Sequence, residues 1–211
     1  MQLYRGMLAA YGEQPWWPAD TAFEIAVGAV LTQNTNWSNV EKALARLKQA
    51  DSLDLQGLLA LSPAQLAELI RPAGYYNIKS QRLLNLCRYL RDIGGLEALR
   101  KMPVEQARAG LLSVNGVGFE TADDILLYAL DLPVFVIDTY TRRLLSRHAL
   151  ASGKESYDQL RHGFERALPA EPDLYRQFHA LIVTHAKQAC RKSPLCEGCC
   201  LRVSCPAQFD Q

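Results

Sequence analysis

Residues 111–138 read LLSVNGVGFETADDILLYALDLPVFVID, and the rest of the chain is arranged around them. The centre is Val114-Asn115-Gly116-Val117-Gly118, a short turn between two apolar helical stretches. Gly116 and Gly118 permit positive φ and the close approach of another backbone. A helix is expected to open at about Phe119. Its first N–H groups have no intrahelical acceptor and favour an anion, of which a phosphate is a natural example.

Asp138 follows Gly118 by twenty residues. A helix over 119–131 leads away from the turn by roughly 18 Å at 1.5 Å per residue. Pro133 stops it. Val134-Phe135-Val136-Ile137 then reads as extended, and six residues from Leu132 reach at most about 20 Å. That length is enough to return Asp138 to the turn. A carboxylate beside a held phosphate suits chemistry on nucleic acid.

This stretch resembles the helix-hairpin-helix DNA glycosylases of the endonuclease III superfamily, whose signature is L-x-x-V-x-G-V-G with an Asp about twenty residues on. The resemblance implies an all-α, two-domain fold and makes Asp138 the catalytic residue. Bifunctional members carry Lys two positions after the second glycine, where this chain has Glu120. The variant Gly118-Phe119-Glu120-Thr121-Ala122-Asp123 is similar to the monofunctional 3-methyladenine DNA glycosylase III branch.

Composition sets wide bounds. The chain has 211 residues, a net charge of +1 and 49% apolar residues. That is enough for one large or two small domains with a substantial core. No run of eighteen apolar residues suggests a membrane span, and Met1-Gln2-Leu3-Tyr4-Arg5 carries no signal-peptide pattern. The expectation is a cytoplasmic, nucleoid-associated monomer. A small net charge neither demands nor excludes DNA, because local patches decide. Almost nothing alternates with period two, so helices are expected throughout.

Before the hairpin, Gln14-Pro15-Trp16-Trp17-Pro18 reads as a rigid loop. Residues 23–31 are apolar nearly all round and predict a buried central helix. Thr32-Gln33-Asn34-Thr35-Asn36-Trp37 ends it, and Ser38-Asn39-Val40-Glu41 reads as the capping box of the next helix. Ser62-Pro63-Ala64-Gln65 is a second start. Gly74-Tyr75-Tyr76-Asn77-Ile78-Lys79 leads into a long helix reaching about Arg91. Lys79 and Arg82 either reach phosphates or lie on a solvated face. Residues 103–112 form the helix before the turn. Downstream, 139–148 and 172–189 read helical, with another start at Ser156. The resemblance places 21–132 in a central domain and 1–20 with 133–211 in a discontinuous terminal domain, the active site lying between.

Each candidate has an ordinary reading beside the functional one. Asp138 also suits a helix N-cap, and both roles are compatible. Glu120 also suits the first turn of a helix. As a carboxylate it cannot form the imine that a lysine would, so no lyase activity is expected. Gln33 either caps a helix end or, by the resemblance, is the wedge that fills the stack behind a flipped base. Trp16, Trp17 and Trp37 either pack or, as in the alkyladenine-specific relatives, line the base pocket. Purines methylated at N3 or N7 are cationic and are attracted to an indole face. His179 and His185 share a helix without a paired-ligand motif and read as packing or surface residues.

Cys190-x5-Cys196-x2-Cys199-x5-Cys205 suits a [4Fe–4S] cluster or a four-cysteine zinc site. The resemblance implies the cluster, although the family spacing C-x6-C-x2-C-x5-C has one more residue in its first interval. Cys200, adjacent to Cys199, leaves the third ligand open. Arg191, Lys192 and Arg202 flank the cysteines, as DNA contacts or as a solvated loop. The expected activity is excision of alkylated purines from double-stranded DNA containing damaged bases. Two alternatives remain: a related glycosylase for deaminated or mismatched pyrimidines, and a non-catalytic DNA-binding relative.

Overall fold

The computed structural model describes residues 1–15 and 17–209, and Trp16 therefore lies outside the described residues. In chain order the α-helices are α1 (Gln2–Tyr11), α2 (Ala22–Leu31), α3 (Trp37–Gln49), α4 (Leu55–Ala60), α5 (Pro63–Leu69), α6 (Tyr76–Ile93), α7 (Leu96–Arg100), α8 (Val104–Leu112), α9 (Phe119–Asp124), α10 (Thr139–Arg147), α11 (Tyr157–Ala167) and α12 (Pro172–Gln188). No strand occurs among the described residues, so the fold is all-α. No helix among them is long and apolar enough to cross a membrane. The chain divides into two compact units, Ala19–Leu132 and the pairing of Met1–Pro18 with Pro133–Gln211.

The unit Ala19–Leu132 is built on α2. Thr21 caps it by accepting from the Glu24 N–H at 3.1 Å. Ala26, Val30 and Leu31 are fully buried against α3, α6 and the segment after α9. Each such side chain contributes roughly 1.5–3 kcal/mol when it is large. Glu24 is also buried, and Lys48 Nζ meets its carboxylate at 2.7 Å. The capping box expected at Ser38 is a correction. Asn36 caps α3 instead, accepting from the Asn39 N–H at 3.1 Å, and Ser38 lies inside the first turn. Asn caps as well as Ser and stands two residues earlier. At Ser62 the helix starts as read, and the cap is a full capping box, with Gln65 Oε1 accepting from the Ser62 N–H at 2.9 Å.

The expected helix over 119–131 is not continuous. After α9 the backbone widens into a π-helical turn, Ile125–Ala129, and Asp131 turns over with φ 57°. Ile125, Leu126 and Leu127 are each fully buried, so three successive side chains face apolar surroundings. Across the hairpin, α8 and α9 are clamped by a buried ion pair. Arg108 Nε lies 2.7 Å from Asp123 Oδ1 and Nη2 lies 3.2 Å from Oδ2. This is the bidentate geometry that fixes orientation as well as charge.

In the other unit the extended stretch 134–137 is buried throughout. Having no ladder, it donates to side chains. The Phe135 N–H reaches Glu165 Oε1 at 3.1 Å and the Ile137 N–H reaches Tyr157 OH at 3.2 Å. Phe135 stacks on Phe164 at 3.8 Å between ring centroids, with Phe178 and Tyr175 set edge-on. This aromatic cluster fixes the approach to Asp138, and α10 packs on α12 beyond it.

Candidate active site and hairpin

The hairpin turn is anchored by Val114 and Val117, both buried. Its two glycines do different work. Gly116 has φ +97°, and a Cβ there would stand 2.2 Å from Arg82 Cγ. Gly118 has φ −94° and ψ −179°, extended backbone open to any residue, so the positive φ expected of it is corrected. A Cβ on Gly118 would meet nothing within 4 Å, so close approach within the chain does not require a glycine there. Gly118, Phe119 and Glu120 are all exposed.

Gln33 reaches the turn from the end of α2. Its Nε2 donates to the Gly116 carbonyl at 3.1 Å and to Thr121 Oγ1 at 2.9 Å. Arg82 donates to its Oε1. Asn85 Nδ2 donates to the Asn115 carbonyl at 3.1 Å. The side chain read as a wedge is therefore half-buried and bound to the hairpin, and a wedge role would require exchanging these bonds. Trp37 is half-buried at the first position of α3, and Trp17 is half-buried in the other unit.

Lys79 corrects the expectation of a phosphate-binding or solvated lysine. It is 1% exposed, and Nζ donates to the carbonyls of Leu31 and Ala73, each at 2.8 Å. Burial and the nearby Arg82 lower its pKa to about 8. In the sequence the neighbouring Tyr75 reads only as part of the run leading into α6, and its exposure and conformation are not foreseen there. It is 67% exposed and holds φ 46°, an uncommon conformation for an aromatic residue. Such strain is characteristic of functional positions. The available signal was its place between Gly74 and a helix start.

Asp138 caps α10, with Oδ1 accepting from the Thr141 N–H at 2.6 Å. The carboxyl is buried, which pushes its pKa up. His179 and the Thr141 N–H and hydroxyl outweigh this and hold it below the usual carboxylate value. His179 is buried, which bears out packing rather than a surface place, and its Nε2 stands 3.6 Å from Oδ2. A contact between a helix cap and a residue two helices later leaves no mark in local spacing.

The four spaced cysteines, Cys190, Cys196, Cys199 and Cys205, line one cavity of about 30 Å³ with His148, His185 and Arg147. They surround this space, and no three His, Cys, Asp or Glu side chains among the described residues are grouped as ligands of a single metal ion. Cys200 is exposed and turns toward Tyr11 OH at 3.7 Å. His185 is buried, contrary to a surface role. Its ring meets Tyr11 OH at 2.9 Å and Cys199 Sγ at 3.9 Å, and burial with nearby His148 lowers its pKa to about 4. Burial raises that of the Cys199 thiol. Arg147 fastens the loop, donating to the carbonyls of Arg191 at 2.7 Å and Lys192 at 2.9 Å. Those two side chains and Arg202 are exposed.

Residues 27–170, including the hairpin and Asp138, match the model of the HhH-GPD superfamily base excision DNA repair proteins. The chain belongs to this family. It is 46% identical over 207 residues to a protein of Methanocaldococcus jannaschii provisionally named a DNA repair glycosylase, covering 97% of this chain and 94% of that one. Among solved structures it is similar to the 3-methyladenine DNA glycosylase of H. pylori bound to 1,N6-ethenoadenine, with a TM-score of 0.74 and 31% identity over 89% of this chain and 96% of that one. It also shares the fold of a non-covalent endonuclease III–DNA complex, with a TM-score of 0.83 and 21% identity over 99% and 94% of the two chains. As an HhH-GPD member, the chain is a DNA repair glycosylase that binds DNA.

Proposed function

We propose that this HhH-GPD protein is a monofunctional glycosylase that releases alkylated purines of the 3-methyladenine type from double-stranded DNA, acting as a monomer in the cytoplasm near the chromosome. This reading rests on two residues taken separately: a buried Asp138, whose surroundings hold its carboxyl below the usual carboxylate value, and a carboxylate, Glu120, at the exposed start of α9 where bifunctional relatives carry lysine. Lys79 is buried and committed to two backbone carbonyls. Similarity to the H. pylori 3-methyladenine glycosylase supports the substrate class.

In the proposed reaction the C1′–N bond breaks and its electron pair leaves with the base. An N3- or N7-alkylated purine is cationic and leaves as a neutral molecule, so little general-acid help is needed. The Asp138 carboxylate stabilises the positive charge developing on the sugar. Water adds at C1′ and gives up a proton, with Asp138 as the nearby acceptor. The strand stays intact because no amine forms an imine. Trp16, Trp17 and Trp37 would offer stacking faces for the flipped base. Gln33 and the exposed Tyr75 would meet the gap it leaves. The Gly116–Gly118 turn would hold a phosphate.

Four thiols around one cavity fit the four-cysteine donor set of a [4Fe–4S] cluster, which Cys190, Cys196, Cys199 and Cys205 would hold. Bound there, the cluster would supply structural cross-linking of the loop that carries Arg191, Lys192 and Arg202. Incubation with DNA treated by a methylating agent tests the activity, with chromatography of the released bases. Free 3-methyladenine supports the proposal. Release of a deaminated or mismatched pyrimidine alone would favour the other lesion class.

A further inference from the structure

We propose that His179 is the positioning residue for Asp138, its imidazole fixing the carboxylate oxygen that the helix cap does not use. This rests on the reading of Asp138 as the catalytic carboxylate. Oδ1 is engaged by the Thr141 N–H at 2.6 Å, which leaves Oδ2 as the oxygen with freedom to act. His179 Nε2 stands 3.6 Å from that oxygen, and its side chain is only 11% exposed. Two buried side chains on packed helices hold this arrangement, with Asp138 at the start of α10 and His179 within α12.

Neighbouring polar and charged side chains have partners of their own. On α10, Arg142 donates to the Glu155 carbonyl and Arg143 to the Cys190 carbonyl. On α12, Arg176 pairs with Asp173 and His185 meets Tyr11 of α1. Tyr4, also on α1, packs edge-on against Phe178. His179 from α12, with the Thr141 amide and hydroxyl, is what acts on the Asp138 carboxylate. A buried carboxylate without a partner titrates upward, and a neighbouring donor or opposite charge brings it down. His179 thus reconciles two demands on Asp138: a dry setting, which strengthens its effect on a sugar cation, and ionisation.

The test uses the full chain carrying its native metal complement, with Asp138 titrated by carboxyl NMR in wild type, His179→Leu and His179→Gln. Wild type is expected to titrate below the ordinary carboxylate value of about 3.9. His179→Leu should raise the midpoint by about 1–3 units. His179→Gln keeps a polar donor on α12 and should fall between the two, and it decides the matter if the leucine variant does not fold. In base-release assays the acidic limb of the single-turnover rate should move up by the same amount in each variant, with affinity for the duplex unchanged. A midpoint that stays within about 0.3 units of wild type in a folded variant overturns the proposal, as does a wild-type midpoint above the ordinary value. The NMR arm needs no turnover. A chain that releases no base therefore sinks the glycosylase reading and leaves the His179–Asp138 coupling measurable on its own.

Discussion

Replacing Gly116 and Gly118 separately by alanine separates two jobs that the hairpin performs. At Gly116 the new Cβ would lie 2.2 Å from Arg82 Cγ, 2.8 Å from Cδ and 2.9 Å from Cβ. These are atoms near the root of the side chain, so Arg82 must swing away and release Gln33. The φ of +97° adds strain of about 1–2 kcal/mol for a residue with a Cβ. Overpacking of this kind costs a further 1–3 kcal/mol or so. A loss of about 3 kcal/mol lowers the melting temperature by roughly 6–12 °C in a chain of this size. At Gly118 the backbone is extended and the added methyl meets no protein atom. The loss of a glycine N-cap, a few tenths of a kcal/mol or more, is offset by the stiffer unfolded chain. Gly118→Ala should therefore melt within about 2 °C of wild type, corresponding to a change below about 0.5 kcal/mol. Its duplex affinity should fall about tenfold, or about 1.4 kcal/mol, because the methyl occupies the approach of a phosphate. Differential scanning calorimetry and fluorescence anisotropy on an undamaged duplex measure the two effects. Equal destabilisation by both substitutions, or full affinity in Gly118→Ala, would refute this division of roles.

Breaking the Arg108–Asp123 pair by Asp123→Asn should cost about 3–5 kcal/mol, read by denaturant titration, because a buried guanidinium loses its counter-charge. Asp138→Asn keeps a competent cap for α10 but should lower single-turnover base release by at least about a thousandfold, the scale of a lost transition-state charge. The same variant isolates a pH effect. The Asp138 charge stabilises the fold fully above the unfolded carboxyl value of about 3.9, and this contribution is lost as pH falls through its lower folded value. Acid-unfolding curves of wild type and variant should accordingly converge at the lowest pH. Cys199→Ser should lose iron and visible absorbance while Cys200→Ser keeps both, since Cys199 lines the cavity and Cys200 is turned instead to Tyr11 and His185.

Features set by neighbours in the chain are legible in the sequence itself. Ser62 and Ser156 declare their helices through a Gln three residues on, and the cap at Asp138 follows from its place ahead of a helical pattern. The hairpin is equally local. What escaped depends on contacts across the sequence. Lys79 looks like any helix-surface lysine until Leu31, 48 residues away, supplies a carbonyl for its amine. His179 lies 41 positions from the carboxylate it faces, and no periodicity encodes that meeting. Asn36 took the cap expected at Ser38 because both residue types cap well, and only the backbone decides between them. The π-helical turn at Ile125–Ala129 has no compositional signature, since the same apolar run would serve a regular α-helix. At the site, residue identity gave the chemistry, whereas the engagement of Gln33 and the burial of Asp138 emerged only from packing.

The most direct test of the central claim is one reaction read in two ways. Purified protein is incubated with duplex DNA alkylated at purine N3 and N7, the released bases are identified by chromatography, and the strands are run on a denaturing gel with and without hot alkali. Asp138 acting without a nucleophilic amine predicts free 3-methyladenine and strand breaks only after alkali. Breaks without alkali, or no release of any alkylated base, would contradict it.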